Sequence, residues 1–150
     1  MADRAYIAEN EVERKRLASL VARLSDEDLA RPMPGGWTVA SVLGHVAFWD
    51  QRIIALIEEW RKAGVGTPPR MLDEGHVDWI NDATKPLLLA VAPGRAAGLT
   101  LSIAESTDRM VAELSEEFLA ANSKAGSPVN VRRAEHRREH IDEIEAALRS

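Results

Sequence analysis

The chain has no cysteine. Disulfides, thiolate-ligated metals and a cysteine nucleophile are therefore excluded, and any transition metal must be held by histidine, aspartate or glutamate. Positive charge is in deficit: the formal net charge is −5. Broad nucleic-acid binders carry a basic footprint, so no nucleic-acid partner is expected. No apolar run approaches membrane-spanning length, and the opening MADRAYIAENEVERKRL lacks the apolar core of a secretory signal. The expectation is a soluble cytoplasmic protein without a membrane partner. Tyrosine and phenylalanine are scarce, one and two residues, against four tryptophans, Trp37, Trp49, Trp60 and Trp79.

The 150 residues are 45% apolar and 29% charged, the balance of one globular domain, 1–150, with a single core. Hydrophobic spacing is helical almost throughout. Over residues 4–24, Ile7, Val12, Leu17, Leu20, Val21 and Leu24 mark a first amphipathic helix. SDEDLARPMPGGW interrupts it, with Ser25 able to cap a short turn. Thr38 is placed as the N-cap of a second helix, whose inward stripe is Val42, Val46, Trp49, Ile53, Leu56 and Trp60. EGHVDWINDATK reads as a short helix ending near Pro86, because proline is poorly tolerated in a helix interior. LLLAVAPGR is either a helical turn or a strand by its pattern. A long helix follows over about 95–120, with Leu99, Ile103, Met110, Leu114 and Leu119 in register. After the loop NSKAGSP, Ser127 as cap and Pro128 at the first helical position open the last helix. There is no alternating strand and no repeat, so the fold class is all-α: an up-down four-helix bundle with short extra helical segments in its connections.

Two of the four histidines, His136 and His140, stand four apart in AEHRREH and share one helical face. On the second helix His45 lies three residues after Val42 and four before Trp49, on the apolar side. Val129, Arg133, His136, His140, Ile144 and Ala147 read as one stripe of the last helix. Bundles build metal sites from inward side chains of facing helices, and three imidazoles leave coordination positions open, as catalytic sites do. The bland alternative is a set of hydrogen-bonded core or surface histidines. HRREH also fits the inverted zinc-protease pattern, but that architecture takes a ligand from well downstream, where this sequence offers only IDEIEAALRS. The protease reading is rejected.

GGWTVASVLGHVAFWDQRII resembles the second-helix signature of the DinB/YfiT-like superfamily: a tryptophan, a capping Ser or Thr, an inward His and a Trp-Asp pair. AEHRREHIDEIEAAL is similar to that superfamily's closing His-x-x-x-His helix, and WINDATK to its Asn-containing middle segment. The resemblance implies a four-helix bundle, often dimeric, with a divalent site on His45, His136 and His140. It further implies relatives that are thiol S-transferases, isomerases dependent on low-molecular-weight thiols, and hydrolases. The segment from Pro86 to Gly98 departs from the smoother helix of that superfamily.

Three neutral imidazoles leave the charge of a divalent ion uncompensated, which favours an anionic further ligand drawn from water or a small-molecule thiol. The expected cofactor is a divalent metal, zinc first, with nickel, iron or manganese as alternatives, and a low-molecular-weight thiol as cosubstrate. Glu139 is the candidate general base; Glu143 could orient His140 or merely pair with an arginine. Trp49 either walls a substrate pocket or is core, and Asn81 either reaches a small-molecule substrate or turns the chain. His76, without an i, i+4 partner, is read as exposed. Arg132, Arg133, Arg137 and Arg138 are read as solvated ion pairs with Glu135, Glu139 and Glu143. Three functions remain: a metal-dependent transferase or hydrolase, a binding or sequestering protein using the same pocket, and a structural bundle acting through a homodimer face.

Overall fold

The structure, a computed structural model, describes residues 1–150. Its helices are α1 (Tyr6–Arg23), α2 (Asp26–Leu29), α3 (Val39–Ala63), α4 (Glu74–Ala90), α5 (Pro93–Ala112), α6 (Glu116–Lys124) and α7 (Ala134–Arg149). The expected all-α bundle is made by α1, α3, α5 and α7. Both α1 and α3 pack against α5 and α7, so α1 faces α3 across the bundle. No helix is long and apolar enough to cross a membrane.

Two apolar clusters fix the helix directions. Tyr6 of α1 packs with Ile53, Ile57 and Trp60 of α3 and Val111 of α5. Leu17 and Leu20 pack instead with Val42 and Leu43 of α3, Ala96 and Ala97 of α5, and Ile141 and Ile144 of α7. The order is thus up, down, down, up, with α5 parallel to α3 rather than reversing it. The reason is α4, which lies antiparallel along α3 and carries the chain back. At 17 residues it spans about 25 Å, too long to be a mere connection.

Local chemistry sets most helix starts. Ser25 and Asp28 form a capping box on α2, and Thr38 and Ser41 form another on α3. Between them, β1 (Pro32–Met33) and β2 (Trp37–Thr38) make a short antiparallel hairpin joined by a 3₁₀ turn at Pro34–Gly36. Gly35 and Gly36 turn it with φ of 78° and 80°, the left-handed region that glycine enters without strain. A two-residue ladder is too short to leave an alternating pattern, so none was legible.

Several expectations give way to tertiary context. Pro86 does not end a helix: α4 runs through it, and its exposed position lets water satisfy the Asp82 carbonyl that loses a partner. The single helix expected over 95–120 is two, because Ser115 caps α6 by accepting from the Phe118 amide. Ser127 does not cap α7; it takes φ 61° in a loop that Asn122 clamps through both Val129 backbone groups. Helix α7 begins only at Ala134, whose amide donates to Asn10 Oδ1 of α1. Val129 and Arg133 therefore precede the helix that carries His136. Ile7, Val12 and Leu99 point outward; the inward stripes run through Tyr6, Asn10, Glu13 and Leu17 on α1 and Ala96, Thr100, Ala104 and Thr107 on α5.

Those stripes place polar groups in the interior. Asn10, Asp50, Thr107, Asp108, Arg133 and Arg137 are all buried. They form a layer between the two apolar clusters, and His136 stands beside it.

Candidate metal centre

His45 projects from α3, and His136 and His140 from successive turns of α7. His136 Nε2 lies 3.3 Å from His45 Nε2 and 3.1 Å from His140 Nε2. One ligand nitrogen from each residue lies within 4.8 Å of the others. The edges of a tetrahedron around zinc, at metal–nitrogen distances of about 2.0–2.1 Å, are about 3.3–3.4 Å, so the two separations at His136 are of the size a shared ion requires.

Proton accounting favours the same conclusion. Glu143 Oε2 is 2.9 Å from His140 Nδ1, which donates to it and turns Nε2 toward the other two rings. His136 Nε2 touches both other Nε2 atoms but carries at most one proton, so it cannot satisfy both. A cation at the centre accepts all three lone pairs. The donor set fits a divalent metal. Burial, followed by the positive potential of His140, holds His45 down to about 4. His136 is held to about 2 by burial, then by His140 and Arg133. Both imidazoles are thus neutral at pH 7, the form that binds metal. Their Nδ1 atoms are buried without a hydrogen-bond partner, so only His140 is anchored through its second nitrogen.

A cavity of about 1290 Å³ opens beside the histidines, lined by His45, His140 and Glu143 together with Trp37, Asn81 and Lys85. The hairpin wall is held by Lys85, whose Nζ donates to the Gly35 carbonyl and lies 5.4 Å from the Trp37 ring centroid. Trp37 also meets His45 edge-on, ring centroids 5.6 Å apart. Trp49 is half-buried behind this wall and donates from Nε1 to Asn81 Oδ1 at 2.9 Å. Asn81 therefore faces the cavity while tied to α3, and Trp49 supports the wall rather than forming it. Glu139 is exposed and outside the cavity lining; the carboxylate beside the histidines is Glu143. His76 is exposed and pairs with Asp73 at 3.1 Å.

Residues 11–146 match the model of the mycothiol maleylpyruvate isomerase N-terminal domain family. The chain belongs to this family. The mycothiol maleylpyruvate isomerase N-terminal domain is a DinB/YfiT-like four-helix domain, so the resemblance read from the sequence holds. No curated protein and no solved structure matches the chain.

In this member of the family none of the four arginines pairs with Glu135, Glu139 or Glu143 as expected. Arg132 and Arg138 do form ion pairs, but with glutamates of α1: Arg132 with the exposed Glu9 at 2.9 Å and Arg138 with the buried Glu13 at 3.0 Å. Arg133 and Arg137 are buried and pair with Asp50 at 2.8 and 3.1 Å, not with solvent-facing glutamates. Burial disfavours the Arg137 charge, but Asp50 and Asp108 more than offset it and hold its pKa above the usual value. Sequence reading also passed over Asp78, Asp82 and Lys85, which line the cavity with Asn81. Their signal was a polar stripe at i, i+3, i+4 and i+7 of the helix read over EGHVDWINDATK.

Proposed function

We propose that this chain is a metal-dependent enzyme in which His45, His136 and His140 hold one divalent ion, zinc first. The adjoining cavity then presents a low-molecular-weight thiol, or water, to a small-molecule substrate. The observation that carries the proposal is the convergence of three imidazole nitrogens beside a solvent-reachable cavity. The family's description names a mycothiol-dependent isomerase, which favours the thiol over water and a thiol-dependent transfer or isomerisation over hydrolysis. When bound, such an ion supplies positive charge that lowers the pKa of a coordinated thiol or water.

The protein's own groups have distinct tasks. Glu143 accepts the His140 Nδ1 proton and so fixes its tautomer and ring plane. Trp37, packed edge-on to His45, shields one side of the centre from water. Asn81, held by Trp49, offers a polar contact to a bound substrate from the opposite wall. Proton transfer at the substrate is assigned to Glu143 in preference to the outward Glu139. A cytoplasmic setting, where small thiols stay reduced, suits this chemistry.

The outward sector of α4 supports a homodimer. Trp79 and Leu87 there are 69% and 70% exposed, with exposed Ala83, Pro86 and Ala90 alongside. Sedimentation of the wild type beside Trp79→Lys/Leu87→Lys tests this: a dimer that dissociates in the variant supports it, and a wild-type monomer refutes it.

Elemental analysis of tag-free protein tests the metal centre. About one divalent ion per chain, lost in His45→Ala, is expected, followed by metal-dependent consumption of a thiol cosubstrate. Wild type that takes up no zinc, nickel, iron or manganese overturns the proposal.

A further inference from the structure

Arg137 is the one side chain bonded to all three other main helices. Its Nε and Nη2 donate to Asp50 Oδ2 of α3 at 3.2 and 3.1 Å. Its Nη1 and Nη2 donate to Asp108 Oδ2 and Oδ1 of α5 at 2.9 and 2.8 Å. Nη1 also reaches the Asn10 carbonyl of α1 at 3.4 Å, and Nη2 the Ala104 carbonyl at 3.5 Å. Arg133 adds a third bond to the Asp50 carboxylate at 2.8 Å, and Arg14 a third bond to that of Asp108 at 2.9 Å. Side chains of Arg137 and Asp50 are 0% exposed, so solvent does not share the bonds between them.

Stability alone is a weak reason for such a layer, since buried ion pairs often do no better than apolar replacements of similar volume. Their best-attested use is to specify register. Here α7 needs a specified register. Its buried apolar contacts are few, Ala134, Ile141 and Ile144, and apolar burial is non-directional. Sliding or turning α7 slightly would change that burial little. The same movement would separate Nε2 atoms that now lie 3.1–3.3 Å apart. His136 cannot be oriented through its second nitrogen, because its Nδ1 has no partner. Its position follows from its backbone, and Arg137 is the next residue. At the other end Asp50 is five residues beyond His45 on the same helix. The Asp50–Arg137 bonds therefore join the two ligand-bearing stretches directly.

The geometry points to Arg137, with Asp50 and Asp108, as positioning residues: they set the axial register of α7 against α3 and so bring His136 and His140 to His45. For its functional meaning this rests on the metal centre proposed above.

The experiment compares wild type with Arg137→Lys, which keeps the charge but loses the forked geometry, and with the milder Asp108→Asn. Leu114→Ala, in the apolar cluster away from the histidines, serves as a control for lost stability. Each protein is checked for helicity by circular dichroism. Metal-free samples are read by nuclear Overhauser contacts between the His45 and His140 rings, whose centroids lie 4.8 Å apart. Cobalt(II) is then titrated, and its visible spectrum reports coordination geometry.

The expected result is that the two network variants stay helical, lose or weaken the ring contact, bind cobalt at least tenfold more weakly and alter its spectrum. Leu114→Ala should change neither the contact nor the affinity. Network variants that keep wild-type contacts and affinity, or a control that loses them equally, would overturn the positioning role. Wild type that binds no cobalt refutes the metal centre instead, and the ring contacts in metal-free protein then decide the register independently.

Discussion

Acid should destabilise the metal-free protein through two of its histidines, and the size of the effect can be worked from their burial. In the unfolded chain both titrate near the ordinary value of about 6.5. In the fold His45 resists protonation down to about 4 and His136 down to about 2. Between those values the unfolded state binds more protons than the folded one, so stability is full above about 6.5 and declines as pH falls. At pH 5 each neutral histidine forgoes about 1.5 pH units of proton binding, or about 2 kcal/mol; the pair together cost about 4 kcal/mol relative to pH 7. The assay is urea unfolding of chelator-treated protein at pH 7 and pH 5, with His136→Gln alongside. Other groups contribute to the raw difference, but the variant isolates one histidine. Its fall in stability between pH 7 and pH 5 should be smaller than that of wild type by about 2 kcal/mol. Equal falls in the two proteins would refute the claim that His136 is held neutral by the fold.

Glu143→Ala should weaken divalent-metal binding about 10- to 100-fold by removing the acceptor at His140 Nδ1, while Glu139→Ala should leave it unchanged. Isothermal titration with zinc checks both, and equal effects would remove the distinction between the two carboxylates. Asn81→Ala deletes the acceptor for Trp49 Nε1 and should cost about 1 kcal/mol of stability and speed amide exchange in α4. Unchanged exchange would mean that this bond does not hold α4 to α3. Pro86→Ala restores an amide donor inside α4 at an exposed position and should raise the thermal midpoint. A lower midpoint would show that the wall of the cavity depends on the proline.

Features governed by neighbours along the chain were legible in the sequence. Thr38 caps α3 because its side chain meets an amide three residues on, and His136 and His140 share a face because helical geometry alone dictates it. The family signature around His45 and the closing helix gave the three donors together, since it reports which residues face inward in related bundles. Most of what failed depends on a distant group. Pro86 continues its helix because that face is wet; Ala134 begins α7 because Asn10, far earlier, caps it. The tie between Trp49 and Asn81 likewise exists only once α4 lies along α3. An arginine's charge says it belongs in water, and four arginines near glutamates on one helix look like surface pairs. Arg133 and Arg137 are buried because Asp50 and Asp108, from two other helices, meet them in the interior. Periodicity alone determined that this chain is a helical bundle with histidines at inward positions, because burying an apolar stripe is a local demand. Tertiary structure decided the register that brings those histidines together, because directional bonds between charges need both partners in place before either can be buried.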